Sequence, residues 1–208
     1  MSRRRRTGVL AVFLLAAVVL VWLDHSPIRR AWKPQPKSGQ QARALDTAKY
    51  HAKTFTVVRV VDGDTIDIDI ADGKHEHTRI RLLGIDTPET NSDKYGVMYF
   101  GSEAAAFAGK SALGKQVNVY LDDAGPTRGK YGRLLAYVRL PDHSFLNEIL
   151  LTEGLAYADL RFRHSLYNKY KQLEASARSQ RKGLWQDATR EQLPEWLQRM
   201  KPELLRNK

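Results

Sequence analysis

Residues 81–89 read Arg81-Leu82-Leu83-Gly84-Ile85-Asp86-Thr87-Pro88-Glu89, an apolar strand that runs out into two carboxylates three positions apart. Pro88 locks its own φ and biases Thr87 towards an extended backbone, so the carboxylates leave the strand in a fixed direction. A hard cation needs such pre-placed oxygens. A phosphodiester under attack needs a base and a cationic clamp, and Arg81 stands five residues before Asp86.

Working outward, Phe55–Val61 is strand-like and leads into Asp62-Gly63-Asp64-Thr65, which offers carboxylates at a tight turn. Asp-Gly is the commonest hairpin signal, so Asp62-Gly63 alone reads as turn chemistry. Downstream, Gly129-Lys130-Tyr131-Gly132-Arg133 opens a further strand, Leu134–Leu140. Metal-binding carboxylates, a candidate base and two arginines suit in-line hydrolysis of a phosphodiester, in which cations offset charge while a carboxylate activates water.

Strand-like runs at Phe55–Val61, Thr65–Ile70, His77–Leu83, Gln116–Leu121 and Leu134–Leu140 alternate with helical patterns. Ser102 starts one helix as its cap and Gly114 ends it; a second covers 145–153, and a third runs from Leu166 to Lys182 with Gly183 behind it. Five strands with three helices predict an α+β domain built on a small closed Greek-key barrel of OB type. Along Thr65–Ile70, Asp67 and Asp69 alternate with isoleucines and read as the wet face of a strand. Arg79 reads as a surface residue. His75 and His77 have no third ligand in sequence reach, which argues against zinc there.

Asp-Gly-Asp-Thr, Arg-Leu-Leu-Gly-Ile-Asp-Thr-Pro-Glu, Lys-Tyr-Gly-Arg and the run Leu146 to Ala156 resemble the staphylococcal nuclease (thermonuclease) family, in the family's motif order, over roughly Phe55 to Trp185. The resemblance implies the same OB-type fold and a calcium-dependent nuclease acting on DNA, with RNA as a second candidate substrate. By motif, Asp64 and Asp86 would hold Ca2+ by carboxylate and Thr87 by its backbone carbonyl. Arg81 and Arg133 would grip the scissile phosphate, Glu89 would be the general base, and Lys130 and Tyr131 would contact a terminal phosphate. The sequence departs from the family where two aromatic positions fall on Leu160 and Phe162, and the loop Asn91 to Gly96 is short. Two rival readings stand beside this one. The first is an OB barrel that binds single strands without cutting them; the second is a phosphodiesterase acting on a small or envelope substrate.

The net charge of +11 is concentrated at one end. Residues 1–54 carry eleven Lys/Arg against Asp24 and Asp46, a net of +9, which leaves +2 for residues 55–208. High basicity is therefore no argument that the folded part binds nucleic acid, and the site arginines must act locally. Arg3 to Arg6 precede the apolar run Val9–Leu23. As a helix that run spans about 23 Å, short of a hydrocarbon core of about 30 Å. It reads as a signal anchor or signal peptide over residues 1–23. Lacking a small-x-small cleavage site, it favours an uncleaved anchor with the domain outside the cytosol; cleavage would give a periplasmic or secreted protein. Residues 24–54, with Pro27, Pro34 and Pro36, read as a linker with a helical turn or two at its end, around Ala42 to Lys53. Residues 55–185 form the nuclease-like domain and 186–208 an amphipathic extension, in which Leu193, Trp196, Leu197, Met200 and Leu204 make a stripe suited to packing on the domain. The absence of cysteine excludes disulfides and thiol catalysis. A monomer is expected.

Overall fold

The computed structural model describes residues 39–91 and 96–204. The chain divides into two compact units, Met1–Ala42 and Arg43–Lys208. Of the first, only residues 39–42 are described, as the opening turn of a helix. The leader expected at residues 1–23, the first part of the linker and the tip of the loop at residues 92–95 lie outside the described residues. Among those described, no helix is long and apolar enough to cross a membrane.

The second unit is built on a closed barrel of five strands: β1 (Lys53–Val60), β2 (Thr65–Ile68), β3 (Thr78–Leu82), β5 (Gln116–Tyr120) and β6 (Leu134–Arg139), in the order β1-β2-β3-β6-β5. All neighbours are antiparallel except β3 and β6, which run parallel with Arg81 opposite Leu135. Closure leaves no free sheet edge. Val57, Ile66, Ile68, Ile80, Val117, Val119, Leu134 and Val138 fill the interior, each essentially inaccessible to water. The expected α+β barrel of OB type is therefore present; β1 starts two residues before its apolar run, and the other strands stop a residue or two short of theirs. A short pair, β4 (Ile85–Asp86) with β7 (Tyr157–Ala158), extends from it, with Asp86 opposite Tyr157.

Helices α2 (Gly101–Ala112), α3 (Leu146–Thr152) and α4 (Tyr167–Ser179) are the three expected ones. Two more flank them. Helix α1 (Gly39–Tyr50) occupies part of the stretch read as linker. It has no apolar stripe and is docked by a few specific contacts. Tyr50 is buried, with its hydroxyl 3.1 Å from Oγ1 of Thr78. Asp46 accepts from Oγ1 of Thr127 at 2.7 Å and from Nε and Nη2 of Arg128 at 2.9 and 2.7 Å. The second addition, α5 (Glu195–Met200), starts behind Pro194 and stops before Pro202, where the missing N–H of proline disfavours a helix interior. Its Trp196 and Leu197, with flanking Leu193 and Leu204, join Trp185, Tyr157 and Ala177 in a second apolar cluster. The amphipathic extension thus packs on the domain, although Met200 stays exposed.

One strand face departs from expectation. Asp67 is buried rather than wet, because Arg79 across the β2–β3 ladder clamps it with Nε and Nη2 at 2.8 and 2.9 Å. Alternation reports which side of a sheet a residue takes. It does not report what covers that side.

Candidate active site

Three strands deliver the central charges. Register pairs Thr65 with Arg81, so Asp64, one residue earlier, stands beside that arginine. Parallel pairing of Arg81 with Leu135 sets Arg133, two residues earlier, level with Arg79, from where its guanidinium feels the charges of Arg81, Asp62 and Glu89. Arg81 then leads through Gly84 into β4, which carries Asp86.

The Asp62-Gly63-Asp64 turn closes on itself through the Asp64 N–H, which donates to Oδ1 of Asp62 at 3.0 Å. Gly63 allows this turn to press on Thr87: a Cβ there would stand 2.8 Å from Oγ1 of Thr87 and 2.9 Å from Cβ of Ala104. Asp64 is buried, and its Oδ2 accepts the Thr87 N–H at 2.8 Å. Its other oxygen, Oδ1, takes Nη1 of Arg81, while Nη2 of Arg81 reaches Oδ1 of Asp86. The guanidinium thus bridges the two aspartates.

Glu89 stands exposed at the rim, three residues past Asp86. Its backbone is pinned from behind: the carbonyl accepts the Met98 N–H at 2.9 Å, and Gly101 comes so close that a Cβ would lie 2.4 Å from that carbonyl oxygen. Desolvation at the rim, together with the negative charge of Asp62 and Asp86, pushes the Glu89 carboxyl above the usual range. A raised carboxyl is a stronger proton acceptor once ionised. Arg133 is half-buried, and burial and the charge of Arg81 lower its guanidinium from the usual value, while Asp62 and Glu89 pull it back up. Asp64, Arg81, Asp86, Thr87, Glu89 and Arg133 therefore come together at one barrel end. Lys130 and Tyr131 lie beside them on the turn before β6. Tyr131 is 73 % exposed, and its ring lies 4.8 Å from Nζ of Lys130 and 5.8 Å from Cζ of Arg133.

Among the described residues, no three His, Cys, Asp or Glu side chains gather into a cage for a metal. The cation between Asp64 and Asp86 is the Arg81 guanidinium. Two carboxylates converging on one positive group form an all-oxygen donor set, which fits a hard divalent ion and not zinc.

Three further residues belong to this neighbourhood and were missed in the sequence. Asp62 was set aside as a turn residue, yet its carboxyl is raised by burial despite the nearby charges of Arg81 and Arg133. Arg161 follows the β7 strand, holds Asp159 through Nε and Nη2 at 2.8 and 2.9 Å, and puts Nη2 3.3 Å from Oδ2 of Asp86. Trp196 donates from Nε1 to the same Oδ2 at 2.7 Å. No local pattern announces the last two, since each reaches Asp86 only through tertiary folding. The two sites where the family resemblance would place aromatics diverge. Phe162 is exposed, and Leu160 packs partly buried against both apolar clusters.

Comparison with known proteins finds a match to the family described as staphylococcal nuclease homologue over residues 79–187, just over half of the chain. The chain is 37% identical to a thermonuclease of Staphylococcus hyicus over 134 residues, covering 64% of this chain and 76% of that protein. It is 38% identical to a thermonuclease of Staphylococcus intermedius over 152 residues, covering 73% and 79% respectively. An uncharacterized endonuclease of Escherichia coli O157:H7 is 33% identical over 149 residues, covering 69% and 82%.

Proposed function

The chain belongs to the staphylococcal nuclease homologue family, and from that premise we propose that it is a calcium-dependent nuclease that hydrolyses DNA, with RNA as a second substrate. One observation carries the reading. Two arginines, two aspartates and a glutamate with a raised carboxyl meet at one barrel end. A barrel that only binds strands has no need of that set.

Asp64, Asp86 and the Thr87 carbonyl would hold the ion, which when bound neutralises phosphate charge and lowers the pKa of water. Arg81, released from bridging the aspartates, and Arg133 present planar forks that can each grip two phosphate oxygens. Their charge matters most as the phosphorus becomes pentacoordinate. Glu89 takes the proton of the attacking water, the new P–O bond forms opposite the leaving oxygen, and that oxygen departs with a proton from solvent. Thr87 acts through its backbone. Its N–H locks Asp64, which keeps Asp64 and Asp86 convergent. Lys130 and Tyr131 extend the cationic side towards a neighbouring phosphate. The proposal also keeps the domain outside the cytosol, on the strength of Arg3 to Arg6 ahead of the apolar run Val9–Leu23.

Glu89→Gln tests the reading, since it preserves size and hydrogen bonding but removes the proton acceptor. A base contributes roughly two to four orders of magnitude in rate. With calcium, the variant should bind DNA about as well as the parent while cutting it at least a hundredfold more slowly. If parent and variant both bind and neither cuts with any divalent ion, the chain is a binding barrel.

A further inference from the structure

Asp86 has two carboxylate oxygens, and the structure uses them differently. Oδ1 faces Arg81, the guanidinium shared with Asp64. Oδ2 faces the other way, to Nε1 of Trp196 at 2.7 Å and Nη2 of Arg161 at 3.3 Å. Asp86 and Trp196 lie 110 positions apart. Arg161 is itself stacked on the indole, its Cζ 4.5 Å from the ring centroid, and held from behind by Asp159.

The segment that carries Trp196 is firmly docked. Leu193 and Leu197 are buried in the second apolar cluster, and the indole meets Tyr157, the cross-strand partner of Asp86, edge to face at 6.5 Å. Lys201 pairs at 2.9 Å with Glu174, a fully buried carboxylate that also accepts the Ala158 N–H at 2.9 Å. Residues 191–196 of this segment line a cleft of about 850 Å³ together with Asp86, Thr87 and Glu89.

We propose that Trp196 is a positioning residue for Asp86, so that the C-terminal segment 186–204 is a working part of the active site. An indole N–H on the outer oxygen fixes the carboxylate rotamer and leaves the inner oxygen directed at the cation position. Groups that hydrogen-bond metal ligands in this way set ligand orientation, and their loss costs about 10–100-fold in metal affinity or activity. An inhibitory plug would be expected to cover the inner oxygen. Trp196 takes the outer one.

The proposal rests on the nuclease reading, and the test separates the two. In the full chain, Trp196→Phe keeps a ring against Tyr157 and Arg161 but cannot donate. It should melt within a few degrees of the parent, bind calcium about tenfold or more weakly by calorimetry, and lose kcat on DNA with KM for DNA little changed. In the parent, the indole N–H resonance assigned to Trp196 should shift on calcium addition, a signature that a purely structural tryptophan would not give. A variant with parental or tighter calcium affinity, or an indole resonance indifferent to calcium, would overturn the role of Trp196 while leaving the nuclease reading intact. A parent that neither binds calcium nor cuts DNA would overturn both.

Discussion

Gly63 and Thr87 are in such close approach that a single methyl group on Gly63 would sit 2.8 Å from the Thr87 hydroxyl oxygen. That contact joins the two carboxylate-bearing segments, one following β1 and one at the end of β4. Ala104 of helix α2, 2.9 Å from the same point, closes the third side, so the space cannot open cheaply. Gly63→Ala should therefore cost on the order of 1–3 kcal/mol of stability, as overpacking usually does. It should also push Asp64 off the Thr87 N–H and reduce the rate more than that stability loss alone implies. Urea denaturation beside initial rates at a temperature where both proteins are folded checks this. Parental values for both would mean that the segments do not depend on this contact.

Arg133 reaches the site from β6, whereas Arg81 comes from β3 and is already engaged by both aspartates. Substituting Lys for Arg133 keeps the charge but removes the planar fork. The expected loss is on the order of a hundredfold in kcat, similar to losing one strong donor to a developing oxyanion. Stability should change little, because the side chain is only half-buried at the barrel end. Single-turnover cleavage with saturating calcium measures the effect, and full activity in the variant would remove Arg133 from the reaction.

The barrel was legible because its strands are short β-branched or apolar runs bounded by turn residues, and the site because its residues sit in contiguous motifs at strand ends. Asp64 and Asp86 are each next to the strand that aims them, so sequence neighbours and spatial neighbours coincide. Asp67 was misplaced because its partner, Arg79, lies across a ladder whose register is not visible in one strand. The stretch from Ala42 to Lys53 suggests only a helical turn or two, because a polar helix held by Tyr50 and the Asp46–Arg128 pair has no periodic apolar face to mark its full length. Trp196 was visible as a member of a stripe, but a stripe tells only that a face is covered. Its indole N–H on Asp86 is a property of the folded chain, as is the stacking of Arg161 upon it.

Behind the site, Asp122 anchors the chain on which Gly84 and β4 rest, and that anchor should be visible in the acid limb of stability. Its carboxylate accepts from the Tyr137 hydroxyl at 2.7 Å, the Ala124 N–H at 2.7 Å, and the Ser165 N–H and hydroxyl at 2.6 and 2.7 Å. Tyr137 in turn meets Nδ1 of His164 at 3.0 Å, and the His164 ring packs against Gly84. Burial alone would raise the Asp122 carboxyl, but these donors outweigh it and hold it at about 2, below its usual 3.8. A carboxyl lowered on folding contributes stability that is fully present above its unfolded value and is lost as pH falls through the folded one. Asp122→Asn removes the charge while keeping the shape, and should cost roughly 2 kcal/mol at pH 7. The gap between parent and variant should stay open down to about pH 5 and close between about pH 4 and pH 2. Urea denaturation of both proteins across that range measures it. A gap that is already absent at neutral pH would mean that the Asp122 charge contributes nothing to the support beneath Asp86.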